Sequence, residues 1–296
     1  RSTRSEWQAE LLYKANRDNQ YLSNTLKGYL DFNQSEGLSI LNGRPTPQRV
    51  EPRKRYIVDN LELINKLKNG QSYSVTSLFS YSYLPGTLLL ANDSVQRLTQ
   101  QMLYWKAYAY YQHSIKQVKV TWQAGFETKI QWLTLGERDR YSEYQPYVEP
   151  SVSYREGAWS ISLSGRLRWL MRQYQNQHSQ HVLAEPRLFI RYSLTSKLDI
   201  SGSYSYRWTP SDIATITSQP YYTDYISCQQ GSGQFENTTG QTANIGLGYR
   251  NVMTGLFCSI TSGYSHQRDA VICQSRIVNH VYIRQATDLQ QNREKL

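Results

Sequence analysis

His178 and His181 stand at H-x-x-H spacing in a chain that has 5 histidines. The pair lies in a polar stretch that reads as a loop, and no third ligand lies near it, so it carries no metal assignment. Gly231-Ser232-Gly233 has the glycines of a phosphate loop but lacks the preceding strand and following helix that such a loop needs. No Ser, His and acid set can be assembled for nucleophilic catalysis, and the chain reads as a non-enzyme without cofactor. His113, His266 and His280 are isolated and read as structural or solvated. Cys228, Cys258 and Cys273 match no zinc spacing and are too few for a disulfide scaffold. Cys228 and Cys273 fall in or near long loops where a bridge between them is allowed, and Cys258 reads as a small outward-facing hydrophobe.

Arginine is the residue type whose placement does suggest chemistry. Arg166, Arg168, Arg172, Arg187, Arg191 and Arg207 fall on the polar faces of alternating segments, and guanidinium groups suit carboxylate and phosphate. If those faces line an interior, Arg168, Arg172, Arg187 and Arg207 make a basic mouth for an anionic small molecule or glycan. The competing expectation is that they pair with protein carboxylates and hold the structure together. Residues 209–241 form the longest connection, and its Tyr221, Tyr222 and Tyr225 are the kind of rings a ligand-gripping loop uses. They equally suit packing of that loop against its neighbours.

The elements that must position these residues are strands. In VKVTWQAGFETKIQW, which starts at Val118, nearly every second residue is apolar or small and the residues between are polar, as on a strand whose two faces meet different solvents. The pattern outlasts the usual strand of about five or six residues. It recurs over residues 6–14, 20–32, 55–67, 72–84, 97–113, 118–133, 146–154, 159–172, 187–194, 198–208, 242–250, 255–265 and 276–286, about thirteen segments with almost no helix between them. The connections alternate between short (15–19, 68–71, 114–117, 155–158, 195–197, 251–254) and long (33–54, 85–96, 134–145, 173–186, 209–241, 266–275). Short turns on one side and long loops on the other are the habit of an outer-membrane barrel.

Composition agrees. Hydrophobic residues make up 39% of the 296 and the mean hydropathy is -0.65. No stretch approaches the roughly 18 apolar residues of a membrane-spanning helix, which excludes a helical membrane protein and leaves a barrel open. The 25 Tyr and 7 Trp suit aromatic girdles. Tyr73 and Tyr83, Trp122 and Trp132, and Trp159 and Trp169 are three outward aromatic pairs, each ten residues apart. On strands tilted by 40 to 45° that spacing projects to roughly 23 to 25 Å, close to the apolar band between girdles. Trp208, Tyr206 and Tyr264 join the upper ring, and Tyr249 the lower. The net charge of +10 is scattered over strands and loops and forms no basic run or helix, so no nucleic-acid partner is expected.

The turn at Lys68-Asn69-Gly70-Gln71 tests register. A two-residue turn would put Leu67 opposite Ser72 and scramble the faces. A three-residue loop with a bulge is expected instead, with Leu67 opposite Tyr73 and Leu63, Leu61 and Ile57 opposite Ser77, Phe79 and Tyr83.

The hairpins PRLFIRYSLTSKLDISGSYSYRW, from Pro186, and TANIGLGYRNVMTGLFCSITSGYSH, from Thr242, resemble the barrel hairpins of TonB-dependent outer-membrane receptors. The turn pattern Tyr249-Arg250-Asn251 with Gly255-Leu256-Phe257 is similar to a periplasmic turn of such barrels. The stretch QQMLYWKAYAYYQHSIKQVKVTWQAGFETKIQ, from Gln100, fits the same picture. The resemblance implies a multi-pass barrel of about 22 strands in the outer membrane, in contact with lipid and lipopolysaccharide. It also implies a plug domain through which the TonB system drives import of a scarce ligand. The residues here include no plug and no TonB box, so the single β-barrel domain reads as an internal piece of a larger barrel. A complete barrel of twelve or fourteen strands, a plugless porin-like or structural barrel, and a soluble extracellular carbohydrate-binding β-protein are the competing expectations.

Overall fold

The computed structural model describes residues 2–41, 44–50, 53–89, 95–223, 227–235, 237–269, 272–278, 281–287 and 291–295. In chain order the strands are β1 (Ser2–Arg17), β2 (Gln20–Leu41), β3 (Arg44–Val50), β4 (Arg53–Lys66), β5 (Ser72–Leu89), β6 (Val95–Ile115), β7 (Val118–Leu135), β8 (Glu137–Glu156), β9 (Trp159–Tyr174), β10 (Gln177–Ser193) and β11 (Leu198–Pro210). After the single turn of helix α1 (Ile213–Ile216) come β12 (Tyr221–Tyr222), β13 (Ser227–Gln230), β14 (Asn237–Asn251), β15 (Leu256–Asp269), β16 (Ile272–Val278), β17 (Val281–Thr287) and β18 (Gln291–Lys295).

A 14-stranded sheet forms the wall. Within it β1, β2, β4 to β11, β14 and β15 follow one another as an antiparallel meander, each hydrogen-bonded to the next. Strand β3 extends the wall beyond β2 and β4, and β18 adds to the far end of β15. The free edges of β1 and β15 are not paired with each other among the described residues. This is the all-β antiparallel architecture of an outer-membrane-type barrel wall, and no helix among the described residues is long and apolar enough to cross a membrane.

Alternation decides which side faces out. Trp7, Leu11, Ile57, Val75, Trp105, Trp122, Val148, Leu163, Leu167, Ile245 and Ile260 are exposed on one face, as lipid contact requires. Their neighbours in sequence point inward. The predicted girdle residues Tyr73, Tyr83, Trp122, Trp132, Trp159, Trp169 and Trp208 all sit at outward positions, and Trp159 stacks on Tyr192 at 4.5 Å.

Three expectations need correction. Segments 134–145 and 173–186 are not loops. Strands β7 and β8 run on to a turn at Gly136, where φ is +79°, and β9 and β10 run on to Gln175, where φ is 50°. Toward this end of the strands both faces become polar, so the hydropathy signal fades while the backbone groups still need partners and keep pairing. The segment 276–286 is not a wall strand. Its described residues belong to β16 and β17, which pair with each other and join β13 and β12 in a separate 4-stranded sheet. The turn after β4 is indeed a three-residue loop, with Asn69 and Gly70 at φ of 62° and 70°. It is closed by the Leu67 N–H donating to the Gln71 carbonyl at 2.9 Å, so Asn65 rather than Leu67 faces Tyr73. That shift of two residues keeps every side chain on its expected face.

Candidate ligand-binding mouth

On the inner face, a continuous chain of ion pairs links five adjacent strands at mid-height. Lys106 on β6 pairs with Glu127 on β7 at 2.9 Å. Arg166 on β9 reaches Glu127 at 3.5 Å and binds Glu149 on β8 at 2.7 Å, and Arg187 on β10 meets Glu149 at 3.4 Å. The Arg166 guanidinium also lies 4.7 Å from the centre of the Tyr147 ring.

Toward the long-connection end a second cluster is more deeply enclosed. Arg168 pairs with Glu185 at 2.6 Å and donates to Gln145 at 2.8 Å and to the Trp208 carbonyl at 2.6 Å. Glu185 in turn accepts the Trp208 N–H at 2.9 Å. Gln145 and Tyr141 both donate to Glu143. Arg172 lies 5.0 Å from the Phe235 ring and donates to Ser179 at 3.3 Å.

This cluster is enclosed because the connection between β11 and β14 folds inward as a cap. Asp212 caps α1 in a capping box with Thr215, which lets a single helical turn form. Ile213 and Ile216 then pack with Leu133, Tyr141, Tyr174 and Tyr221 in the main buried apolar cluster, with Phe235 against it. Polar ties fix the cap in place. Asp139 accepts from Thr217 at 2.7 Å and from Tyr174 at 3.0 Å, and Gln131 accepts the Ile213 N–H at 3.3 Å. Gln96 exchanges two 2.8 Å hydrogen bonds with the backbone of Tyr222. The amides of Gly231, Ser232 and Gly233 donate to the carbonyls of Thr217, Thr215 and Ile216, so the glycine-rich triplet closes the end of the helical turn. Strand β13 pairs in parallel with β17, tying the cap to the connection after β15.

No protein family model and no curated protein sequence matches the chain. Solved structures do. The ferripyoverdine receptor of the outer membrane of Pseudomonas aeruginosa is similar over 96% of this chain and 45% of its own length, with a TM-score of 0.66 at 12% identity. BauA, the ferric preacinetobactin receptor from Acinetobacter baumannii, is similar over 99% of this chain and 51% of its own, with a TM-score of 0.61 at 11% identity. The ferric citrate transporter FecA follows with a TM-score of 0.54 at 12% identity. The fold is that of a TonB-dependent receptor barrel. The chain spans about half the length of these receptors (45%, 51% and 48% of each).

Within this wall the four predicted mouth arginines have different surroundings. Arg168 and Arg172 are 8% and 3% exposed beneath the cap, whereas Arg187 is half-open on the ladder. Arg207 is exposed and takes part in no ion pair among the described residues. Tyr221 is buried in the cap, where burial pushes its phenol pKa up, and Tyr222 is held through its backbone. Tyr225 and His280 lie outside the described residues. His178 and His181 fall on β10, where a three-residue separation sends them to opposite faces, and no metal-holding group of side chains occurs among the described residues. All three cysteines are free thiols, with Cys228 beside Ile283 and Cys273 beside Ala286 in the small sheet rather than bridged. Residues 134–145 hide the partners Asp139, Glu143 and Gln145 that sequence reasoning assigned to a loop. Their odd-numbered alternation was the available signal.

Proposed function

We propose that the chain forms part of the wall of a TonB-dependent outer-membrane receptor that imports a scarce anionic metal chelate, in the manner of the ferric-siderophore and ferric citrate proteins it resembles in fold. The observation that carries this reading is the match of nearly the whole chain to barrels of that kind. The plug, the coupling to TonB and the contact with lipopolysaccharide belong to the same proposal. Arg207 is the first inward cation an anionic chelate would meet, Arg187 lies deeper on the mid-height ladder, and Arg168 and Arg172 become reachable when the cap lifts. The lining serves binding and passage and has no catalytic role.

The test uses cells in which the full-length protein is the only iron receptor, supplied with ⁵⁵Fe as ferric citrate, ferripyoverdine or ferric preacinetobactin. Accumulation from at least one of these, lost when TonB is deleted, is the expected result. Accumulation that persists without TonB would make the protein a passive channel, and none from any of them would remove the metal-chelate assignment. In the responding case, Arg187→Gln with Arg207→Gln is expected to raise the half-saturating concentration about tenfold, the loss of one or two charge-assisted contacts.

A further inference from the structure

The outward face of the wall carries one charge at a depth where lipid contact calls for none. Across β4 to β7 two directly paired outward rows lie ten residues apart, Arg55, Tyr83, Gln101 and Trp132 above and Asn65, Tyr73, Tyr111 and Trp122 below. Between them, Asp59 is the only Asp, Glu, Lys or Arg at an outward described position from β1 to β8. Its outward neighbours are Ile57 and Leu61 along β4, Leu26 on β2 and Phe79 on β5. It makes no hydrogen bond or ion pair among the described residues. At about 3.3 Å per residue and a tilt near 40°, Asp59 lies roughly 10 Å beneath the level of Arg55. The side-chain oxygen of Asn24, diagonal to Asp59 on β2, is buried and has no hydrogen-bond partner either. An unpaired carboxyl inside the apolar band is costly, and such groups in membrane proteins face a partner.

The same face has a hole and a knob on opposite sides of Asp59. Toward β1 and β2, a groove of about 380 Å³ opens between Trp7, Ala9, Gly28, Leu30, Ile57 and Tyr81. Nothing lies within 4 Å of where a Gly28 side chain would stand. On the other side, Trp105 on β6 is 41% exposed. Its indole N–H donates to Ser77 Oγ at 3.0 Å and its ring meets Phe126 edge-on at 4.6 Å, which fixes its direction. A two-fold contact sets what lies on one side of the axis against what lies on the other side in the second copy. With Asp59 near the axis, the knob of each copy meets the hole of the other. A second copy offers no outward cation at this depth, so the two carboxyls can satisfy each other only as neutral acids joined by O–H···O hydrogen bonds.

We propose that two copies of the protein pair in the plane of the outer membrane through the outer face of β2 to β6. Their Asp59 carboxyls hydrogen-bond to each other, and Trp105 of each copy sits in the groove at Gly28 of the other. The proposal rests on the membrane-barrel fold and not on what passes through the lumen. Cross-linking of the full-length protein in outer membranes with a short bis-maleimide tests it, with the exposed native thiol removed by C258S. A thiol beside Asp59, in C258S/L26C, is expected to give at least about ten times more covalent homodimer than C258S/L167C on the outward face of β9, because a docked pair holds its thiols at high effective concentration. Adding G28L, which fills the hole, or D59L is expected to lower that yield at least about fivefold, the loss of one net hydrogen bond or its equivalent in packing. Adding D59N should keep it, since two amides can still pair. Heat-modifiable migration in gels reports that each variant is folded. Equal yields from L26C and L167C, a cross-link from L26C to a different protein, or a homodimer unchanged by both G28L and D59L overturns the contact between copies. None of these outcomes bears on iron uptake.

Discussion

On the inner face of β6 to β10, Lys106, Glu127, Arg166, Glu149 and Arg187 form a continuous chain of ion pairs. On the outer face of β4 to β8, Arg55, Arg97, Arg138 and Arg140 carry one sign only. The contrast follows from what each face meets. An interior closed by a cap must neutralise its own charges, because an unpaired ion away from water costs several kcal/mol. A rim at the edge of the lipid can leave its cations for an external counter-ion. The formal net charge of +10 is therefore uneven in use: much of the lumenal charge cancels locally, and the outward rim contributes to the excess.

The sharpest way to break the comparison is to remove one member of the most enclosed inner pair. Glu185→Ala leaves Arg168 buried without its carboxylate and is expected to cost about 3–5 kcal/mol in urea unfolding of the detergent-solubilised protein. A loss below about 1 kcal/mol would mean the pair is solvated like a surface one. Next in size is the cap. A side chain at Gly231 would stand 2.5 Å from the Thr217 carbonyl oxygen, so Gly231→Val is expected to cost about 1–3 kcal/mol of cap docking. Limited proteolysis within residues 209–241, with the wall left intact, is the readout.

Cys228 supplies an independent report on the same element. Burial pushes its thiol pKa up, so less thiolate is present at any given pH and its maleimide labelling lags that of the urea-unfolded protein until the pH is raised. Gly231→Val is expected to remove that lag, and equal labelling rates in the wild type would show the cap already open. The smallest effect is expected outside. Replacing Arg55, Arg97, Arg138 and Arg140 with Gln should change unfolding stability by no more than about 0.5 kcal/mol per site, as at other exposed positions. A larger loss would show that the outer cations serve the fold.

The wall was legible in the sequence wherever one face met lipid. In Val118 to Trp132 or Trp159 to Trp169, alternation alone assigned strand and face. It failed where both faces became polar, so Asp139, Glu143 and Glu185 were read as loop although they line the enclosed floor of the mouth. The cap was not legible at all, since Ile213 and Ile216 look like any loop residues until Leu133, Tyr141 and Tyr174 are brought under them from β7, β8 and β9. Inward arginines could be identified, but their partners depended on that unseen closure.

The parallel pairing of β13 with β17 sets Cys228 beside Ile283, residues 55 positions apart (283 − 228), whereas the wall hairpins join residues close in sequence. Contacts between distant chain segments form after local ones, because closing the longer loop costs more entropy before any contact stabilises it. The wall is thus expected to assemble with its mouth open and to acquire its roof last. During insertion, the arginines and carboxylates beneath that roof would still be in water, free to find one another before it closes.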